Sequence, residues 1–239
     1  MTVNGGDWQP NTDELQQVLE LLKQSQSPDT QIQRNVQQKL DQLNENPIFC
    51  NYLVYILSEL TDQEDATRSL SGLILKNTIR VYWDRYSPDI RAYIKRECLK
   101  AIGDPSVLIR ATVGIIITNV VLREGHRNWP ELLPYLCQMV ESPDNNICEG
   151  AFGAFQKICE DSADSLAADT ENRPLDTLVP KFLTFMKSQN PKIRSTSVNC
   201  VNSCLLVQSE ALNPYMDTFL QSLFALANDT EKVSKTQLK

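Results

Sequence analysis

The residues able to do covalent or metal chemistry are few and poorly spaced for it. His126 is the only histidine. It sits in the polar stretch Arg123-Glu124-Gly125-His126-Arg127, and no convincing nucleophile pairs with it. Cys200 and Cys204 share a helix face at i, i+4, but a closed zinc site needs two further ligands, and the sequence places none beside them. Cys50, Cys98, Cys137, Cys148 and Cys159 are scattered through apolar stretches, where a thiol in a reducing compartment behaves as a small core residue. No G-x-x-x-x-G-K-[ST] phosphate loop occurs, and Gly150 and Gly153 lie within a helical pattern, away from any strand-to-helix turn of a dinucleotide site. The expectation is a protein with no catalytic activity, metal or cofactor.

What remains is the chemistry of recognition. On a helix, Glu149, Gly153, Gln156 and Glu160 form one polar stripe opposite a core face of Ile147, Ala151, Ala154, Phe155 and Ile158. Gly150 and Gly153 each cost a helix about 1 kcal/mol relative to alanine, so a close neighbouring backbone or a partner is expected to offset them. The competing reading of Glu149 and Glu160 is a merely solvated acidic face. A second helix puts Leu70, Leu73, Ile74 and Val81 on its core face, with Asn77 among them. Its flanking stripe of Ser69, Gly72, Lys76 and Arg80 is basic where the other is acidic. Such a pattern could fix the register of a bound protein; two solvated cations are the alternative. Thr112, Asn119 and Arg123 align on a third, otherwise apolar helix.

The elements carrying these stripes recur. Helix-length segments open with a charged residue past a polar turn at Arg34, Arg68, Arg110, Glu149 and Arg194, an interval of about forty residues that suits two-helix HEAT or armadillo repeats. The predicted pairs are 12–24 with 30–43, 47–60 with 66–83, 88–102 with 107–123, 129–141 with 147–161, and 174–187 with 192–208, followed by a lone helix over 212–227. Ser27-Pro28-Asp29, Gly103-Asp104-Pro105, Ser142-Pro143-Asp144 and Gln189-Asn190-Pro191 punctuate four of the five pairs, because proline cannot continue a helix and acidic or amide residues suit the next start. The fold class expected is all-α: a right-handed solenoid of HEAT repeats with two antiparallel helices each. Residues 12–228 would form five repeats and the first helix of a sixth, between a flexible amino terminus (1–11) and a truncated or frayed tail (229–239). Phe219, Leu223, Phe224 and Leu226 would lack a covering helix, so the chain is expected to be the front part of a longer solenoid.

Charge narrows the partners. Lys and Arg number 23 against 30 Asp and Glu, a formal charge of -7. That argues against a phosphate-tracking nucleic-acid binder and for basic or mixed-charge protein partners. Met1 to Asn11 lacks the basic start and apolar core of a secretory signal, and no apolar run reaches spanning length, so no membrane insertion is expected.

Five segments carry a resemblance: Ser25-Gln26-Ser27-Pro28-Asp29-Thr30, the run Thr67 to Asn77, Leu108-Ile109-Arg110-Ala111-Thr112-Val113-Gly114, Asn128-Trp129-Pro130-Glu131-Leu132-Leu133-Pro134, and the run Cys148 to Asp161. Together they resemble the importin-beta (karyopherin-beta) family of nuclear import receptors, over nearly the whole chain from about Trp8 to Asn228. The resemblance implies a receptor that shuttles through the nuclear pore between cytoplasm and nucleus, meets nucleoporins, and holds the GTPase Ran in its GTP form on the concave inner surface, which the second helices of its early repeats line. It makes Lys76, Arg80, Asn119, Glu149, Gln156 and Glu160 candidate Ran contacts. Family members most like these motifs recognise proline-tyrosine nuclear localisation signals with carboxy-terminal repeats, so cargo of that kind is expected only for a full-length protein. Lys232 to Lys239 departs from the family pattern. A general HEAT scaffold that assembles other proteins is the alternative function.

Overall fold

A computed structural model describes residues 8–228. Among them the chain is helical, with no strand: α1 Thr12–Ser25, α2 Thr30–Leu43, α3 Phe49–Ser58, α4 Asp65–Tyr82, α5 Pro88–Lys100, α6 Val107–Glu124, α7 Leu132–Met139, α8 Asn145–Ala167, α9 Pro174–Phe185, α10 Pro191–Leu206 and α11 Met216–Ala227. The helices begin where the sequence punctuates them. Asn11 accepts from the amides of Asp13 and Glu14, Asp29 from those of Gln31 and Ile32, Asp144 from Asn146, and Asn190 from Lys192. Each cap satisfies donors that the first helical turn leaves without partners. Two boundaries depart from expectation. Trp129 and Pro130 belong to a turn that delays α7 to Leu132, and α8 runs past Asp161 to Ala167 through a kink at Ser162, whose φ of -140° and ψ of 15° are not helical.

The described residues fall into two compact units, one reaching Ala101 and including Pro105–Asn119, the other comprising Ile102–Asp104 and everything from Val120. In the first unit α1 packs on α2 and α4, and α3 on α4 and α5. Leu22, Leu53, Ile56, Leu57, Leu75, Ile79 and Trp83 are among its fully buried core residues. Trp8 sets its ring edge-on against Tyr52 and Tyr55 of α3 and Tyr93 of α5. Residues 8–11 are therefore held on the fold, which corrects the expectation of a flexible terminus at these positions. Residues 1–7 and 229–239, the rest of that expectation and the frayed tail, lie outside the described residues.

In the second unit α8 packs on α7, α9 and α10, and α9 on α7, α10 and α11. Phe155 meets Phe182 with ring centroids 5.4 Å apart, and Phe152 meets Phe185 at 4.9 Å, both edge-on as aromatic quadrupoles favour. On α11, Phe219 and Leu226 are buried while Phe224 stands 70% exposed, so only part of the apolar face expected to be open is open.

Three of the five recurring charged residues turn out to be structural. Arg68, Arg110 and Arg194 are buried. Arg68 donates through Nε and Nη2 to the Leu57 carbonyl at 3.2 and 2.8 Å, Arg110 to Pro105 at 3.0 Å, and Arg194 to Ser188 and Gln189 at 2.9 and 3.1 Å. Each guanidinium thus satisfies carbonyls near the end of the helix before it or in the turn that follows, where intrahelical partners run out. Arg34 is exposed.

His126 is also structural. It is buried, with Nε2 2.8 Å from Asp169 Oδ2, while Arg127 Nη2 lies 2.5 Å from Oδ1 and the Asn172 amide donates to Oδ1 at 3.0 Å. The Ser165 hydroxyl is 3.5 Å from His126 Nδ1. The cluster ties the turn before α7 to the turn before α9. The Arg127 guanidinium first, then the Asn172 amide and His126, hold the Asp169 carboxyl well below the usual carboxylate range. A depressed folded pKa contributes stability that is present above the unfolded value of about 4 and lost as pH falls below it. Acid titration of the fold by circular dichroism should therefore show a shallower loss below pH about 4 in the Asp169→Asn variant than in the wild type.

Candidate partner-binding surface

In the first unit the sequence-based face of α4 needs correction. Leu73 is 39% and Val81 65% exposed, and Asn77 is exposed too. The buried face is instead Arg68, Ser71, Leu75, Thr78 and Ile79. Small polar residues face inward because α6 comes close: Ser69 Oγ lies 2.9 Å from Thr112 Oγ1, and a Cβ on Gly72 would stand 2.4 Å from Thr112 Cγ2. Ser69 and Gly72 therefore leave the expected polar stripe, as does Thr112, which also donates to the Leu108 carbonyl at 2.8 Å.

What α4 presents outward is Leu73, Asn77, Arg80 and Val81, with Lys76 half-buried at the edge. Among the described residues neither Lys76 nor Arg80 is paired with a carboxylate. Two unneutralised cations among apolar side chains suit a partner that brings carboxylates around an apolar contact. On α6, Asn119 is half-buried and its Nδ2 donates to the Ile115 carbonyl at 2.8 Å, leaving its oxygen as the free acceptor. Leu108 and Leu122 are exposed on the same helix.

In the second unit α8 holds its core face as expected, with Ala151, Ala154, Phe155 and Ile158 fully buried and Ile147 half-buried. On the other face the acidic groups are engaged within the fold. Glu149 accepts from Asn190 Nδ2 at 3.1 Å and from Lys192 Nζ at 2.7 Å, so it bridges α8 to the start of α10. Gln156 Nε2 donates to Glu160 Oε1 at 2.6 Å, and Glu160 stands exposed. Of the three, Glu160 keeps the greatest freedom to meet a cation. Asn199 and Asn202 of α10, the helix packed on α8, are half-buried and exposed respectively.

Gly153 separates the two explanations offered for it. A Cβ built there meets nothing within 4 Å, so no neighbouring backbone approaches. The helix carries the cost of glycine at a half-exposed position facing open space. Gly153→Ala is accordingly expected to raise stability by about 1 kcal/mol in urea unfolding. A loss of stability there would show that the helix needs the glycine for its own packing.

The stacked helix pairs, with polar and apolar stripes left on their second helices, define an α-solenoid protein built for macromolecular recognition. Residues 36–104 match the family model described as Importin-beta N-terminal domain, and residues 108–238 match the one described as IPO5-like, TPR repeats. The chain belongs to the importin-beta family. It is similar to Transportin-1 of Homo sapiens, with 53% identity over 225 residues that cover 94% of this chain and 25% of the relative. The chain thus spans about a quarter of the length of the curated relatives it matches. Among solved structures, Kap95p, a yeast importin-beta whose binding induces the switch loops of RanGDP to adopt the GTP-bound conformation, superposes with a TM-score of 0.79 at 18% identity. That match covers 93% of this chain and 28% of the other. The Kap95:Nup1 complex gives 0.78 at 18% identity, with 93% and 28% covered. At these identities the structural matches speak to the fold.

Proposed function

We propose that this chain acts as the amino-terminal part of a nuclear import receptor, holding Ran in its GTP form on its second helices, the inner helices of the solenoid, through the side chains they leave exposed. The family membership, carried along 94% of the chain by 53% identity to Transportin-1, is the observation that supports this reading most strongly. Lys76, Arg80 and Asn119 are the contacts assigned to the first unit; Glu149, Gln156 and Glu160 are those assigned to the second. Within that set, the free cations Lys76 and Arg80 and the exposed Glu160 carry the electrostatic selection, while Glu149 serves first to fasten α8 to α10.

Preference for the GTP form follows from conformational cost. A partner whose switch loops already hold the GTP conformation binds directly, whereas the GDP form must be driven into it, as Kap95p does to RanGDP. The difference in affinity equals that cost. Nucleoporins are the second partner class in this reading, by analogy with the Kap95:Nup1 complex. Proline-tyrosine cargo belongs to the remaining length of the relatives, the protein shuttles between cytoplasm and nucleus, and it performs no catalysis.

The test is a charge reversal that leaves the fold alone. Lys76→Glu with Arg80→Glu alters two surface side chains, where substitutions usually change stability little. It is expected to weaken Ran·GTP binding at least tenfold and to flatten its salt dependence. Glu160→Lys is the cleaner reversal on α8, because Glu149→Lys would set a second cation against Lys192 and strain the fold itself. Unchanged affinity in both variants would remove the contact from these faces.

A further inference from the structure

The segment Trp8-Gln9-Pro10-Asn11 forms neither helix nor strand, yet it is anchored at both ends on helices some forty residues and more along the chain. The Trp8 ring lies 4.8 Å from that of Tyr52, 5.4 Å from Tyr93 and 6.0 Å from Tyr55, edge-on to each. Three residues later, the Asn11 amide donates to the Tyr52 hydroxyl at 3.2 Å.

The receiving side has contacts of its own besides those to the segment. Tyr52 and Tyr93 are buried, the Tyr52 hydroxyl also bonds the Glu14 carboxylate, and the Arg96 guanidinium sits 5.2 Å from the centre of the Tyr93 ring. Tyr52 and Tyr55 come from α3 and Tyr93 from α5, two helices that pack directly on each other. The occupant supplies one aromatic ring and one backbone N–H, separated by a proline that fixes its own φ and offers no donor. None of these contacts depends on covalent continuity with α1.

We propose that the tyrosine cradle of α3 and α5 is a peptide-binding site, occupied in cis by the chain's own Trp8 segment, which takes in trans an extended peptide of the form aromatic-x-Pro. The segment is its own evidence for that chemistry, because a peptide of the same sequence meets the same rings and the same hydroxyl. Tethering gives the resident segment an effective concentration in the millimolar range, so the site is masked against weak ligands until Trp8 is displaced. Edge-on contact with three rings selects a flat aromatic side chain over an aliphatic one.

The experiment uses the full chain and a fluorescent synthetic peptide with the sequence of residues 5–12. Fluorescence anisotropy is expected to show the peptide binding the Trp8→Ala chain at least tenfold more tightly than the wild type. A peptide with alanine in place of its tryptophan should not bind, and Tyr93→Ala added to the Trp8→Ala chain should abolish binding. Equal binding to both chains, or binding to neither while the variant keeps its helical circular dichroism, would overturn the proposal. Should Trp8→Ala unfold the chain, the wild type labelled with 5-fluorotryptophan decides the matter. Millimolar peptide is then expected to move the Trp8 fluorine resonance to its solvent position, and an unmoved resonance would overturn the site.

Discussion

Arg68→Ala is expected to lower the unfolding free energy by about 3 kcal/mol, since hydrogen bonds from a charged donor are worth roughly 1.5–3 kcal/mol and the carbonyl left behind in the core adds its own penalty. The guanidinium is buried and bonds the Leu57 carbonyl through two nitrogens, with Asp65 3.8 Å away. Arg194→Ala should behave alike for the same reason. Arg34→Ala, at the equivalent opening of the first pair but exposed, should change stability by less than about 0.5 kcal/mol. Urea unfolding of the three variants separates the cases. Equal, small losses at all three would mean that the buried guanidiniums do not hold the turns.

Phe155→Ala is expected to cost about 4 kcal/mol, within the range for deleting a fully buried aromatic ring whose surroundings collapse only partly. Its ring is completely inaccessible and faces Phe182, so the lost volume opens between α8 and α9. Because each helix pair leans only on its neighbours, the damage should stay regional. Hydrogen exchange is expected to quicken across α8, α9 and α10 while amides of α1 to α4 keep their protection. Exchange rising evenly along the chain would show instead that the two units unfold as one.

The order of helices was legible in the sequence because it is written in the turns. Asp29, Asp144 and Asn190 cap helices where they stand, and Pro88 and Pro191 open them. The face of α4 was not legible. Leu73, Ile74 and Val81 look like core by hydrophobicity, but the helix turns Ser69 and Gly72 inward because α6 approaches too closely for larger side chains. Hydrophobic periodicity reports what water avoids, whereas close helix packing selects for size. The i, i+4, i+7 spacing of Leu73, Asn77 and Arg80 was present in the sequence and marks the outward face once the inward one is known.

The charged openings misled in a related way. Arg68, Arg110 and Arg194 recur because the end of the preceding helix or the turn after it needs a donor for its carbonyls, a requirement of backbone chemistry that sequence alone shows as a surface-like charge. Glu149 shares their rhythm but does different work, fastening α8 to α10 through Asn190 and Lys192. On α8 the helical wheel gave the core face correctly, since Phe155, Ala151 and Ile158 are large and small apolar groups in ordinary alternation. Gly153 was recognisable as an anomaly, and only the empty space beside it shows that no part of the described fold explains it.

The most direct test of the central claim is a titration of this chain against Ran loaded with a non-hydrolysable GTP analogue and, separately, with GDP, at two salt concentrations. A transport receptor's switch-reading surface predicts affinity for the GTP form at least tenfold above that for GDP, weakening as salt rises. Equal affinity for the two forms, or no binding to either by a chain shown to be folded, would contradict it and leave a scaffold that does not read the nucleotide.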